Sequence, residues 1–291
     1  MSDDADRADD LDDDDELAPA RAIFHSLFHH LSLSDAIEMS GEGSEELDLP
    51  SRAGYTYGET SLSSILHMLR AAQTSSFCCA CGDGAAASSH SSDGSSQRCQ
   101  FCGRRDSGAT IVDLGSGLGN VVVGTALLVS AGLVSASRVR GVEALPTLHR
   151  AAAGILAELQ ARFRAADDSN RPLLPARLPA ADVQCTDLLL FDLEDVDVCY
   201  LCSTGFSAAL IELWSAQAAR QLRVGSRVVT LSKPLGHPSF ELELTTPCRT
   251  SWDEVRAFVH RTLSRDWLDG AGALLRKGCA KDGRATQWAW T

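Results

Sequence analysis

Asp113-Leu114-Gly115-Ser116-Gly117-Leu118-Gly119-Asn120 joins a short apolar run, 110–114, to a longer one, 120–131. The first has the length of a buried strand and the second that of a helix. Glycines in such a turn let a ligand come close to the backbone, an approach that any Cβ would block. The dinucleotide fingerprint spaces its glycines G-x-G-x-x-G. Here Gly115, Gly117 and Gly119 read G-x-G-x-G, and Asn120 stands where the last glycine should be. Asp113 ends the strand, and its charge would oppose a pyrophosphate beside the turn.

A carboxylate at that point suits a positively charged amino group instead. Glu143 ends the next strand-like run, 138–142, and lies 24 residues after Gly119. That is the distance at which an acidic residue takes ribose hydroxyls. Together these features favour S-adenosylmethionine over NAD as the ligand. Asp187 and Leu188 follow the next helical stretch, where an adenine needs one polar and one apolar partner; Asp187 also reads as a plain surface loop acid.

Working outward, 148–163 carries Ile155, Leu156, Leu159 and Phe163 at helical spacing. Residues 196–201 read as a strand, 208–222 as a helix and 227–231 as a strand. Strands alternating with helices imply an α/β, Rossmann-like core with a mainly parallel sheet. Residues 252–263 read as a helix, and 286–291 as a final strand. Upstream, 23–33 reads as a short amphipathic helix, followed by a polar stretch to Arg52. Ser61 can cap a helix through Ile65, Leu66 and Leu69. The chain thus divides into an acidic tail (1–22), a helical segment with a loop (23–75), a cysteine-rich insert (76–106) and the core (107–291).

The formal charge of -13 is concentrated locally: residues 2–16 hold nine Asp and Glu16 against Arg7, or -9, which leaves -4 for the rest. Such a run repels itself and is expected to be disordered. The balance excludes a global basic field, so strong binding to free DNA is not expected. The longest apolar stretch, 121–134, is shorter than the roughly 20 residues a bilayer requires, so no membrane association is expected. The acidic N-terminus also lacks the pattern of a signal peptide, so a soluble intracellular protein is expected.

Cys78-x-x-Cys81 and Cys99-x-x-Cys102 are separated by 17 residues, within the spacing of a four-thiolate zinc site. Gly82 and Gly103 follow the pairs, as a chelating turn favours. The competing reading is free thiols in a disordered insert.

Tyr57-Gly58-Glu59-Thr60-Ser61, Val112 to Gly119, Gly141-Val142-Glu143 and Ser232-Lys233-Pro234 resemble, in order and rough spacing, the non-SET histone H3 lysine methyltransferases of the disruptor-of-telomeric-silencing (Dot) family. The resemblance implies a seven-strand class I methyltransferase fold, a nuclear location, and a nucleosomal lysine as substrate. It places Gly58, Glu59, Thr60, Asp113, Gly115, Gly117, Gly119, Asn120, Glu143, Asp187 and Leu188 at the cofactor, with the Tyr57 loop over its methionine end. Phe206 is what the chain keeps of the family's acceptor loop, which here reads Cys202-Ser203-Thr204-Gly205-Phe206-Ser207. Leu188 replaces an aromatic, and a large basic tract is absent.

The chemistry is an in-line displacement on a neutral lysine amine, so alignment and exclusion of water supply most of the acceleration. Tyr57, Phe206 and Lys233 are the candidate catalytic residues. Phe206, Trp252 and Trp288 are candidate channel walls, although each tryptophan also reads as an ordinary core residue. Lys233 reads as orienting the strand end, contacting the acceptor loop, or lying on the surface. The alternatives are methylation of a non-histone lysine or a small molecule, and a chromatin-binding module without activity.

The zinc reading makes a direct prediction. Metal analysis of chelator-free protein is expected to give about one zinc per chain, lost in Cys78→Ser/Cys99→Ser. A metal-free preparation of the unaltered protein overturns it.

Overall fold

The central strands are short apolar runs buried on both faces, the pattern that parallel sheets require. The computed structural model describes residues 15–47, 60–74, 108–165, 177–250 and 253–263. β1 (Ala109–Leu114), β2 (Ala136–Glu143), β3 (Ala180–Cys185), β4 (Val198–Leu201) and β5 (Arg227–Leu231) pair in parallel. β6 (Phe240–Arg249) and β7 (Glu254–Thr262) form an antiparallel hairpin, and β7 inserts beside β5. The order is β3-β2-β1-β4-β5-β7-β6.

The helices α4 (Asn120–Ser130), α5 (Pro146–Ala165) and α6 (Ala208–Gln221) alternate with the strands and lie close to their expected bounds. α4 and α5 belong to one hydrophobic cluster and α6 to a second, which also holds Val112, Leu114, Cys199, Leu201 and Val228 from the sheet. α1 (Ala18–Phe28) and α3 (Leu62–Thr74) contribute Leu27, Phe28, Ile65 and Leu69 to the first cluster. The N-terminal helices therefore share a core with the sheet.

The sequence reading differs from the structure in five places. The helix expected from Ile23 begins at Ala18, behind a 3-10 turn at Asp15–Leu17. The polar stretch after it contains α2 (Leu33–Glu46), opened by a capping box in which Ser32 and Asp35 exchange hydrogen bonds. Its polar, glycine-containing sequence hid the helical period, yet it packs on α5 with Glu46 bridging Arg150 at 3.0 Å. β3 and β6 were not expected at all. The helix expected over 252–263 is strand β7: Val255, Phe258, Val259 and Thr262 fit helical spacing, but the open antiparallel edges of β5 and β6 take the segment as a strand. The expected strand at 286–291, the acidic run 1–14 and the cysteine insert lie outside the described residues.

Gly141 of β2 faces the glycine turn. A Cβ there would meet Ser116 Oγ and Val122 Cγ2, each at 2.9 Å. Alanine for a strand glycine ordinarily stabilises by lowering the entropy of the unfolded chain. Here overpacking dominates, and Gly141→Ala is expected to cost about 1–3 kcal/mol. Urea unfolding checks this; an unchanged or higher midpoint overturns it.

Candidate cofactor and acceptor site

The sheet reverses its order between β1 and β4, the switch point where open α/β sheets bind ligands beyond their carboxyl strand ends. Gly115, Gly117 and Gly119 lie there with φ of 78°, 53° and 83°. These left-handed values explain why glycine stands at each of the three positions. The turn is fastened to β2: the amides of Gly115 and Ser116 donate to Val142 O at 2.8 and 2.9 Å. Asn120 opens α4 and is buried.

Glu143 is the second fastening. Its Oε2 accepts from the Gly117 amide and its Oε1 from the Leu145 amide, both at 2.8 Å. With the Ala144 amide as a third backbone donor, the carboxylate still keeps acceptor capacity for a ligand hydroxyl. Burial raises the pKa of Glu143, opposed by its backbone hydrogen bonds. Asp113, 3% exposed, is held well above the usual carboxylate range by burial and then by Glu143. No hydrogen bond to the Asp113 carboxylate is found among the described residues. The site therefore holds a buried carboxylate that a cation or a hydrogen-bond donor would stabilise.

Thr60 is buried, bridges Thr250, and shares a 2.8 Å hydrogen bond with the Tyr200 hydroxyl. Tyr200 pairs in register with Asp113. This phenol was not singled out in the sequence, where it reads as one more apolar residue of a buried strand. Its position near the carboxylates becomes visible only once β4 is set beside β1. At the next turn, Asp187 Oδ1 accepts from the Leu189 amide at 2.8 Å, and Thr186 N donates to Glu143 O at 3.1 Å. The Asp187 turn thus lies beside Glu143, while Leu188 is buried in the second hydrophobic cluster.

The acceptor loop follows β4 as a 3-10 turn at Ser203–Gly205. The Phe206 ring lies against Gly115, where a Cβ would come within 2.8 Å of Phe206 Cζ. Lys233 Nζ donates to Phe206 O at 2.6 Å and to Thr204 O at 3.2 Å. Of the three readings of Lys233, its contact with the acceptor loop is the one observed. Ser203 Oγ donates to Leu231 O, and Thr204 Oγ1 pairs with Ser232 Oγ at 2.7 Å. Behind this strap, the fully buried His260 accepts from the Leu235 amide through Nε2 at 3.1 Å. Burial lowers its pKa, which favours the neutral ring.

Tyr57, Gly58, Glu59, Trp252, Trp288 and the four candidate zinc ligands lie outside the described residues. Among the described residues no cluster of metal-ligating side chains occurs, and no helix is long and apolar enough to cross a membrane.

The strand order, with an antiparallel β7 between β5 and β6, makes this a Rossmann-like class I methyltransferase fold. The chain matches no family model and no curated protein. Among solved structures it is similar to an RNA methyltransferase from Salinibacter ruber in complex with S-adenosyl-L-homocysteine, at 19% identity and a TM-score of 0.39, covering 54% of this chain and 82% of that one. It is also similar to the magnesium protoporphyrin IX methyltransferase of Synechocystis PCC 6803 with bound cofactor, at 13% identity and a TM-score of 0.39, covering 53% and 70%. A third is TrmN from Thermus thermophilus, at 19% identity and a TM-score of 0.40, covering 54% and 44%.

The raised pKa of Asp113 sets a pH dependence. A carboxyl whose folded pKa exceeds its unfolded value binds more protons when folded, so its contribution to stability falls as pH rises between the two values. Asp113→Asn is therefore expected to stabilise the cofactor-free protein near pH 8, with the gain shrinking toward pH 4. Melting temperatures of both proteins across that range check it; a variant less stable at pH 8 refutes the unpartnered carboxylate.

Proposed function

We propose that the chain is an S-adenosylmethionine-dependent methyltransferase. The observation that carries this reading is the buried Asp113 carboxylate, which has no side-chain hydrogen bond among the described residues, set beside Glu143 at the switch point of the sheet. The residues present fit the cofactor. Asp113 suits its ammonium group, and the spare acceptor capacity of Glu143 suits ribose hydroxyls. When bound, S-adenosylmethionine supplies an electrophilic methyl group on a sulfonium.

The chain's own part is alignment and exclusion of water. Phe206 presents an apolar ring at Gly115, and Lys233 keeps the carbonyls of Thr204 and Phe206 in place. No side chain of the acceptor loop is set up as a base: burial holds the Cys202 thiol protonated, and the Thr204 hydroxyl is engaged by Ser232. An acceptor that arrives neutral fits this loop. A lysine amine, with a pKa near ~10.4 in water, meets that condition after losing its proton on entry to an apolar channel.

The finer reading is a lysine of nucleosomal histone H3, hence a nuclear enzyme. It rests on the Tyr57-Gly58-Glu59-Thr60 and Ser232-Lys233-Pro234 segments and on an acidic chain better suited to a basic protein than to nucleic acid. Labelled methyl transfer to nucleosomes, free core histones, RNA and small amines tests it. Label confined to RNA or small amines leaves the methyltransferase and removes the lysine.

Glu143→Gln tests the cofactor itself. The variant keeps the side-chain volume but turns one acceptor oxygen into a donor facing a backbone amide. Loss of a charged hydrogen-bond partner of about 2 kcal/mol should weaken S-adenosylmethionine binding roughly thirtyfold. Equal affinity of the two proteins by calorimetry rules out the ribose assignment, and NAD is expected to bind neither.

A further inference from the structure

Among the described residues, Ser232 is the one residue other than glycine with a left-handed backbone, at a φ of 67°. Across it the Lys233 amide donates to Leu231 O at 2.8 Å. A positive φ at the centre of such a three-residue hydrogen bond makes the γ-turn of the rare and strained kind; the common form has a negative φ. Strain of this sort persists where the surroundings over-determine the backbone, and it gathers at functional positions. Glycine would adopt the turn at lower steric cost. A serine has to be held there by its contacts.

Those contacts lead to the loop after β4. Ser232 Oγ pairs with Thr204 Oγ1 at 2.7 Å. Ser203 Oγ reaches both carbonyls that flank the turn, Leu231 O and, at 3.2 Å, Lys233 O. Lys233 Nζ returns to Thr204 O and Phe206 O. On the other side, Ser232 donates its amide to Arg256 O of β7 at 2.8 Å. The loop itself is a single 3-10 turn, closed by the Phe206 amide on Ser203 O at 3.2 Å. The Phe206 ring that follows it lies against Gly115.

Resting on the methyltransferase reading of the site, we infer that Ser232 is a positioning residue. Its strained γ-turn fixes the loop after β4 through the Ser232–Thr204 hydroxyl pair, and with it the seat of the Phe206 ring on the glycine turn. A backbone constraint at the end of β5 is thereby passed to the side chain that borders the candidate methyl-donor site. A reaction that relies on alignment is sensitive to such placement.

Ser232→Gly keeps the turn and removes the hydroxyl. Relief of strain is opposed by the lost hydrogen bond and by the larger entropy of glycine in the unfolded chain, so the melting temperature should stay within about 2 °C. Hydrogen exchange read by mass spectrometry on the full, ligand-free chain is the direct measurement. Peptides covering 202–207 should exchange about fivefold faster in Ser232→Gly and in Thr204→Val, while those of β5 and β7 match the unaltered protein. Thr204→Ser keeps the hydroxyl and should restore slow exchange. Combining Ser232→Gly with Thr204→Val should add little, because both remove the same contact. With the acceptor methylated best among core histones, RNA and small amines, Ser232→Gly should lower kcat about fivefold and leave KM for S-adenosylmethionine unchanged. Loop exchange equal to that of the unaltered protein overturns the inference. Faster exchange spread through β5 and β7 also overturns it, because Ser232 would then support the sheet as a whole. A raised KM for S-adenosylmethionine at constant kcat does the same by moving Ser232 to cofactor binding. If calorimetry finds no S-adenosylmethionine binding by the unaltered chain, the methyltransferase reading falls, and the exchange result still decides whether the turn holds the loop.

Discussion

The Glu143 carboxylate, shared between the amides of Gly117 and Leu145, is the contact on which the site depends. It ties the end of β2 to the turn between β1 and α4, and to the start of α5. Three left-handed glycines would otherwise form an adaptable loop, since glycine surrenders the most conformational freedom on folding. Bracing them with a buried charge costs desolvation, visible in the raised pKa of Glu143. Asp113 adds a second buried carboxylate with nothing to neutralise it among the described residues. The fold tolerates this strain at the place where a cationic ligand would relieve it, the pattern expected of a site arranged for binding rather than for stability.

A second system holds the loop after β4. Lys233 at the end of β5 holds the carbonyls of the loop after β4, while Ser203 and Thr204 reach back to Leu231 and Ser232. Ser232 has a φ of 67°, unusual for a residue with a side chain, and it donates its amide to Arg256 O at 2.8 Å. His260 of β7 continues the chain of contacts by accepting from Leu235. The antiparallel β7 thus supports, through the segment after β5, the loop that carries Phe206.

The parts of this architecture legible in the sequence are those with local causes. β1, β4 and β5 are short apolar runs, and α4, α5 and α6 are long ones, so period and length identify them. Asp113, Glu143 and the glycines declare themselves because a turn and a strand end need those residue types at those places. What the sequence hid has non-local causes. β3 and β6 lie at the two ends of the sheet, and their exposed, mixed sequences show no clean alternation. The spacing of β7 serves a helix as well as a strand, and only pairing with β5 decides between them. Tyr200 meets Thr60 across 140 residues of chain, and Lys233 meets Phe206 across 27. No local pattern announces either contact.

One further consequence follows from α3 packing against the last hairpin. Ser64 Oγ donates to Arg249 O at 3.0 Å across 185 positions, and α3 also touches β5 and β7. Part of the surface that holds α3 is therefore made by the latest part of the described chain. During translation at roughly 5–20 residues per second, Ile65 would wait on the order of 10–40 s for Thr262 to be made. Through that interval the face of α3 that meets the last hairpin is uncovered, while closing so long a loop slows the final step. The nascent protein is therefore a natural client of chaperones, and its yield on expression should depend on their supply more than its native stability would suggest.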